Sequence, residues 1–301
     1  MKKITCILLI ILLTLSFSSC RQDTVPAAKE LAYEAAENTK EFELQAVMGL
    51  AAVSGGESIS ATLKLDGRTD DKQNSVMDYF VSVPSVGFNF SGKMYILAEK
   101  ELYIQALGTW YYLDLNSAYE DEGYSDEPIK KAEELESQIG EEGYSFSEVT
   151  STEDSYTFDT YFTDKFTEIY SDFIIDLINA EEKEAIITKE DEEKFLKTMD
   201  TFIKNISFKT EVDKKSRTYK SVYMDLTDAF NELVRIIQED IEEEIRKHSG
   251  DYESEIVPET PTSFNNVSID ITYSNVGNVE DVIISDTIKN IAADIMTLAE
   301  Y

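Results

Sequence analysis

Three successive stretches in the first third of the chain alternate apolar residues with other residues at a period of two. Turns rich in glycine and polar residues, SGGE and DGRTDDKQNS, separate the stretches. Strands that follow strands without intervening helices predict an antiparallel meander, because parallel strands need long crossover connections. We therefore expect an α+β protein built on an antiparallel sheet. The alternating positions are Phe42, Leu44, Ala46, Met48 and Leu50, then Ile59, Ala61, Leu63 and Leu65, then Met77, Tyr79, Val81 and Val83.

The segment GKMYILAEKELYIQALGTWYYLDL predicts two hairpins, with a two-residue turn at 108–109 and a second turn at 99–100. Opposite residues share a face of a sheet, so this register predicts one wholly apolar or aromatic face, which we expect to be core. The predicted core face holds Tyr95, Leu97, Leu102, Ile104, Ala106, Tyr111, Leu113 and Leu115.

The other predicted face of these hairpins mixes aromatic and polar residues, and it includes Tyr103, Trp110 and Tyr112. A face of this composition should be partly covered, either by a helix of the chain itself or by an apolar ligand. Tyr103, Trp110 and Tyr112 are our candidate ligand-binding residues, and both kinds of cover remain open.

Periodicity and caps predict the remaining elements. Predicted helices cover 26–40, 128–137, 164–180 and 190–203, then a long helix from Thr227, and a last helix that Ser285 caps and that runs past Ile295. Predicted strands cover 156–162, 206–212, 218–226, 267–273 and 279–284.

The first twenty residues, MKKITCILLIILLTLSFSSC, indicate export. Two lysines precede an apolar run of about a dozen residues, which is shorter than the ~20 that a membrane-spanning helix needs. The final FSSC resembles a bacterial lipobox, which implies that residues 1–19 are a signal peptide and that Cys20 receives lipid. Residues 20–25 then form a lipidated tether. An ordinary secreted protein with a chance cysteine, or a retained anchor, are the alternatives.

Cysteine usage and charge exclude several kinds of function. Cys6 leaves with the signal peptide and Cys20 is consumed by lipid, so no thiol remains for a disulfide, a nucleophile or a metal site. The net charge of −33 repels nucleic acid. The segment 114–123 departs from a calcium loop at Ala118 and Tyr119, and His248 has no second histidine to bind zinc with. We expect no metal, no cofactor and no enzymatic activity.

The lipobox, the meander and the segment ILAEKELYIQALGTWYYLDL together resemble Gram-positive lipoproteins whose fold is similar to the lipoprotein-carrier (LolA-like) half-barrel. VSIDITYSNVGNVEDVIIS near the C-terminus supports the resemblance. It implies a curved antiparallel sheet, an open half-barrel, with helices packed over its concave face, which can hold an acyl chain. Residues 26–301 would form one domain. An echo between YYLDLNSAYED and VYMDLTDAFNE leaves open two related strand–helix halves with a boundary near 120–165.

These observations predict a membrane-anchored extracytoplasmic lipoprotein that binds or shields an apolar ligand such as a lipid. The alternative is an acidic protein-interaction module without a small ligand. A solute-binding protein of a transporter is less compatible with the sequence, because the βαβ order usual in that class is missing. The sequence does not define an oligomeric state.

Overall fold

The computed structural model of the chain describes residues 26–98, 100–114, 135, 137–181, 189–248 and 262–294. Within these ranges, thirteen strands form one large sheet that is curved but not closed, and all but one of its strand pairs are antiparallel. The predicted α+β class with a curved, mostly antiparallel sheet is confirmed. The strands are β1 Phe42–Ser54, β2 Glu57–Thr69, β3 Ser75–Val83, β4 Phe88–Leu97, β5 Glu101–Ala106, β6 Thr109–Asp114, β7 Tyr144–Phe146, β8 Thr150–Ser151, β9 Ser155–Phe162, β10 Ser207–Asp213, β11 Tyr219–Asp225, β12 Ser263–Ser274 and β13 Ala293–Asp294.

The order of the strands across the sheet is β13-β6-β5-β4-β3-β2-β1-β12-β11-β10-β9-β7, and β8 pairs with β9. The meander β1–β6 therefore forms one half of the sheet, and β12 joins it to the other half through β1. In the β1–β2 hairpin Ser54 pairs with Glu57, and Gly55 and Gly56 both adopt positive φ, as a two-residue turn requires.

Among the described residues, helices surround this sheet at several positions. They are α1 Ala28–Asn38, α2 Asp164–Glu181, α3 Lys189–Lys204, α4 Thr227–His248 and α5 Asp286–Ile291, with single 3₁₀ turns at Pro84–Val86 and Glu141–Gly143. Leu135 and residues 137–139 are also helical. The helices predicted at 26–40, 164–180 and 190–203, and the helix from Thr227, are confirmed.

The pleat divides the sheet into two faces of different chemistry. The pairs Ala46↔Ile271, Ile271↔Val222 and Ala46↔Leu65 place these apolar residues on the same side, which we call the apolar face. The residues between them, such as Gln45, Asp66 and Asp270, lie on the opposite, polar face. The alternation that predicts strands therefore also predicts which side is apolar.

Helices cover the apolar face in the β12–β7 half of the sheet. Phe208, Met224 and Ile269 are each at most 4 % exposed, and they belong to the same buried cluster as Ala229 of α4. Helix α1 places Leu31 against Phe158 and Val212. A third cluster joins α2 and α3. Most of the fully buried side chains in the described part of the chain therefore lie in this half of the sheet.

Two predictions near the C-terminus are wrong. Residues 279–284 form no strand, because their backbone bonds to side chains at the end of the sheet: the amide of Val282 donates to the Asp70 carboxylate. Ser285 does cap a helix, accepting from the amide of Ile288, but the helix ends at Ile291 rather than continuing past Ile295. The chain then pairs with the open edge of β6 as β13, so an available strand edge replaces further helical hydrogen bonds.

Several predictions concern residues outside the described ranges. They include the signal peptide 1–19, the lipidation site Cys20, the tether 20–25, the calcium-loop departures at Ala118 and Tyr119, and most of the helix predicted at 128–137. Leu115 of the predicted core face also lies outside.

Candidate functional site

The hairpin that carries the candidate ligand-binding residues turns one residue earlier than predicted. Ala106 pairs with Thr109, so Leu107 and Gly108 form the two-residue turn with φ of 51° and 82°. Both turn residues then adopt the positive φ of a type I′ turn, which disfavours leucine and is usually filled by asparagine or glycine. The predicted turn at 108–109 is therefore wrong: it keeps Leu107 in the strand, whereas Leu107 lies in the turn with a positive φ.

The preceding turn is also displaced, since Leu97 pairs with Glu101 across residues 98–100. This second change alters which residues share a face, whereas the shift to 107–108 leaves the residues of β5 and β6 on their predicted faces. Tyr95 pairs with Tyr103, and Tyr103 with Tyr112, so Tyr95 and Leu97 lie with the candidate ligand-binding residues rather than with the predicted core face. Tyr103, Trp110 and Tyr112 do share a face, as predicted, and it is the polar face of the sheet.

A C-terminal segment of the chain covers this group of aromatic residues. Trp110 and Tyr103 are only 9 % and 6 % exposed, and they cluster with Ile284, Ile288 and Ala292. The ring centroids of Tyr103 and Tyr112 lie 5.0 Å apart. Burial, then the neighbouring Glu101 carboxylate, raises the pKa of Tyr103 to about 12. The geometry matches the alternative in which the chain's own helix, here α5, covers the mixed face.

Asp70 holds the covering segment in place. One carboxylate oxygen, Oδ1, accepts from the amides of Lys72 and Asn74, both at 2.9 Å. The other, Oδ2, accepts from the Val282 amide at 2.9 Å and from Asn74 Nδ2 at 3.1 Å. Burial acts to raise the pKa of Asp70, which is 1 % exposed, but the four hydrogen bonds outweigh burial and lower that pKa. Lys72 adds an exposed ion pair to Asp281 at 2.7 Å.

The apolar face of β2–β6 is different, because no described helix closes it. Its side chains are partly exposed, whereas their counterparts on β10–β12 are buried. They belong to none of the four buried clusters among the described residues. We call this surface the open apolar face. It consists of Leu63, Val81, Phe90, Met94, Ile96, Leu102, Ile104, Tyr111 and Leu113.

An aromatic ladder crosses the open apolar face from one end of the sheet. Phe88, 48 % exposed, stacks on Phe90 at 6.2 Å, and Phe90 contacts Tyr79 at 5.5 Å between ring centroids. Tyr79 lies over Gly92 and donates its hydroxyl hydrogen to the carbonyl of Gln105 at 2.5 Å. Burial raises the pKa of Tyr79, so the hydroxyl remains a donor at neutral pH.

The open apolar face is not the candidate site that the sequence predicts. Its residues on β5 and β6 are predicted to be core, and the predicted register places Met94 and Ile96 on the mixed face instead. Phe88, Phe90, Met94 and Ile96 repeat at a period of two, and only Gly92 interrupts the pattern. That interruption is the available clue, because a Cβ at Gly92 would lie 2.5 Å from the Tyr79 hydroxyl. A glycine in a strand marks a close approach by another group.

Within the described ranges, no group of three or more histidine, cysteine, aspartate or glutamate side chains could hold a metal ion. In the same part of the chain, no helix combines the length and hydrophobicity needed to cross a bilayer. The chain matches no protein-family model and no curated protein sequence.

Proposed function

We propose that the protein is a lipid-anchored extracytoplasmic lipoprotein whose open apolar face binds an acyl chain. The observation that carries the proposal is the contrast between the two halves of one apolar face: helices bury it on β12–β7, and no described helix closes it on β2–β6. In this proposal the curved sheet is an open half-barrel with helices over its concave face, and lipid on Cys20 anchors it.

The size of the open apolar face supports an acyl chain as the occupant. Five adjacent strands at a spacing of about 4.8 Å make this half of the sheet about 19 Å wide. Burial of 100 Å² of apolar surface contributes roughly 2.5 kcal/mol, and a micromolar complex needs about 8 kcal/mol net. Contact over several hundred Å² is therefore required, which an extended hydrocarbon chain across these strands supplies.

The charge pattern also supports an apolar occupant. The segments 79–92 and 102–113, strands with their connecting turns, contain no charged side chain, although the chain as a whole has 87 charged residues in 301, counting 27 basic and 60 acidic. A charge on a face that must be desolvated by hydrocarbon would cost several kcal/mol. The open apolar face carries none.

Binding of a fluorescent polyene fatty acid to the purified protein tests this proposal. Val81 and Phe80 are neighbours on β3 that point to opposite faces, and Phe80 is 39 % exposed on the polar face. We expect Val81→Asp to weaken binding at least tenfold, because it places a carboxylate under the hydrocarbon. The matched control Phe80→Asp should bind as the wild type does.

Circular dichroism and thermal unfolding of both variants show whether either one is misfolded. Equal affinities of Val81→Asp, Phe80→Asp and the wild type would refute the open apolar face as the binding site. If none of the three proteins binds fatty acid, the acidic protein-interaction alternative is favoured. Anchoring is tested separately: Cys20→Ser should abolish the lipid mass increment and release the protein from the membrane fraction.

A further inference from the structure

One end of the β1–β6 half of the sheet is almost free of charge. It is formed by the turns 54–57, 84–88 and 107–108, and we call it the uncharged end. The runs 44–56, 79–92 and 102–113 that lead into and out of these turns contain no charged residue, and Glu57 is the one charge in the turns themselves. At the opposite end the turns contain Asp70, Asp71, Lys72 and Lys100. This asymmetry is notable in a protein with a net charge of −33.

Large apolar side chains project from the uncharged end into solvent. Leu107 is 88 % exposed, Val86 is 74 % exposed and Phe88 is 48 % exposed. Single exposed apolar residues are ordinary on protein surfaces, but these three lie on adjacent turns of neighbouring strands. Leu107 also occupies a left-handed conformation, where a leucine is destabilising relative to glycine or asparagine. Neither packing nor turn geometry explains a leucine there.

The start of the domain lies at the same end of the sheet. Lys29, in the first turn of α1, pairs with Glu141 at 2.5 Å, and Glu141–Gly143 leads directly into β7. Tyr144 of β7 pairs with Phe162 at the end of β9. The strand pairing can be followed from β9 through β10, β11 and β12 to β1, and it places Tyr144 at the end of the sheet that carries the β1–β2 turn. Thr39, after the last turn of α1, lies at the other end, where its hydroxyl accepts from the Tyr219 amide.

From these three observations we infer that the uncharged end docks on a lipid bilayer, with Leu107, Val86 and Phe88 inserted among the headgroups and the first acyl carbons. The inference rests on the proposed function in one respect, the anchor at Cys20. Pro26 lies six residues after Cys20, a span of at most about 21 Å, which keeps that end of the sheet near the membrane surface.

Docking in this orientation connects the bilayer to the open apolar face. Phe88 belongs both to the inserted tip and to the aromatic ladder that continues through Phe90 to Tyr79. An acyl chain that leaves the membrane beside Phe88 therefore meets apolar surface along the whole ladder. The charged opposite end of the sheet faces away from the bilayer, which avoids repulsion from anionic headgroups.

Depth-dependent fluorescence quenching tests the docking. Leu107→Cys, in lipidated protein reconstituted into phosphatidylcholine vesicles, carries a polarity-sensitive nitrobenzoxadiazole label. Ala98→Cys is a matched control, because Ala98 is an exposed turn residue with φ of 47° at the opposite end of the sheet. Bromine atoms on the acyl chains of the lipid should quench the label at 107 severalfold more than the label at 98. Val86→Glu should remove most of that difference.

Equal quenching at positions 107 and 98, or water-like emission from both, would overturn the docking. Vesicle flotation tests the lipid anchor independently of docking. The number of labels per protein molecule tests it too, since an unlipidated Cys20 would take up a second label. Fatty-acid binding by the Val81→Asp and Phe80→Asp pair reports the ligand site. Failure of docking is therefore distinguishable from failure of either part of the proposed function.

Discussion

Asp70→Asn changes one atom of the carboxylate that fixes the C-terminal segment over the aromatic group of Tyr103 and Trp110. The amide oxygen of asparagine can still accept from the amides of Lys72 and Asn74 at the Oδ1 position. At the Oδ2 position an NH₂ group would face two donors, the Val282 amide and the Asn74 side chain. The substitution therefore leaves a buried backbone N–H without its acceptor.

The expected cost follows from those two hydrogen bonds. A hydrogen bond to a charged group contributes about 1.5–3 kcal/mol, and an unsatisfied buried donor costs a similar amount. Because the two bonds share one acceptor they are not additive, so we expect a loss of about 3 kcal/mol in the free energy of unfolding. For a domain of this size that corresponds to a decrease of roughly 6–12 °C in Tm.

The pH dependence of this loss identifies its cause. The pKa of Asp70 is lower in the folded than in the unfolded chain, so its contribution is complete above the unfolded pKa of about 3.9 and is lost as pH falls through the folded pKa. The difference in stability between wild type and Asp70→Asn should be constant from pH 7 to about pH 5. It should shrink below pH 4.

Urea unfolding at several pH values measures that difference, and hydrogen exchange at the Val282 amide reports the segment directly. Asp71→Asn is the matched control, since it removes the same charge from an exposed neighbour and should change stability by less than about 0.5 kcal/mol. Similar losses in the two variants, or a difference that stays constant to pH 3, would refute the hydrogen-bonding argument.

Three further predictions follow from the strands and the chain start. Gly92→Ala should destabilise the protein by about 1–3 kcal/mol in urea unfolding, because the new Cβ would lie 2.2 Å from the Gln105 carbonyl oxygen. Gly49→Ala is the control and should destabilise the protein less, because its Cβ would meet only polar side-chain atoms. The emission of Trp110 should be blue in the lipid-free protein and change little when fatty acid is added, and Trp110→Ala should cost about 3–5 kcal/mol; a saturable lipid-induced blue shift would contradict this. Cell fractionation should detect wild type in the membrane and Cys20→Ser outside it, and identical distributions would contradict anchoring.

The parts of the fold that the sequence predicts well are those with a strong repeating pattern. The alternation from Phe42 to Val83 predicts β1–β3, and the apolar stripe after Thr227 predicts α4, because burial of one face decides both. The hairpin register failed at two turns. Leu107 adopts a positive φ that leucine rarely takes, so propensity selected 108–109, but that error left the residues of β5 and β6 on their predicted faces. Between β4 and β5 the loop spans three residues, 98–100, instead of the predicted two. This one-residue change in register moves side chains to the opposite face, and it exchanged Tyr95 and Leu97 between the two faces.

The C-terminal segment could not be predicted from local pattern. Whether residues 279–284 pair as a strand depends on partners more than 200 positions earlier, chiefly Asp70, whose bond to Val282 spans 212 residues. The candidate site depends on the same information. Alternation identifies the apolar face, but which half of that face the helices cover depends on the tertiary arrangement of α2–α4.

The central position of β12 has a consequence for the order in which the protein folds. Strands β1–β6 are local hairpins that can form as soon as they are synthesised. Strand β12, in contrast, pairs with β1 across more than 200 residues, as in the pairs Glu43↔Ser274 and Val53↔Ser263. Such a distant pairing closes slowly, because a large loop entropy must be overcome first. Until β12 arrives, the thirteen residues of β1 present an unpaired edge. A chaperone that shields this edge until β12 pairs would suppress aggregation, and truncation before Ser263 would leave two half-sheets with no strand to join them.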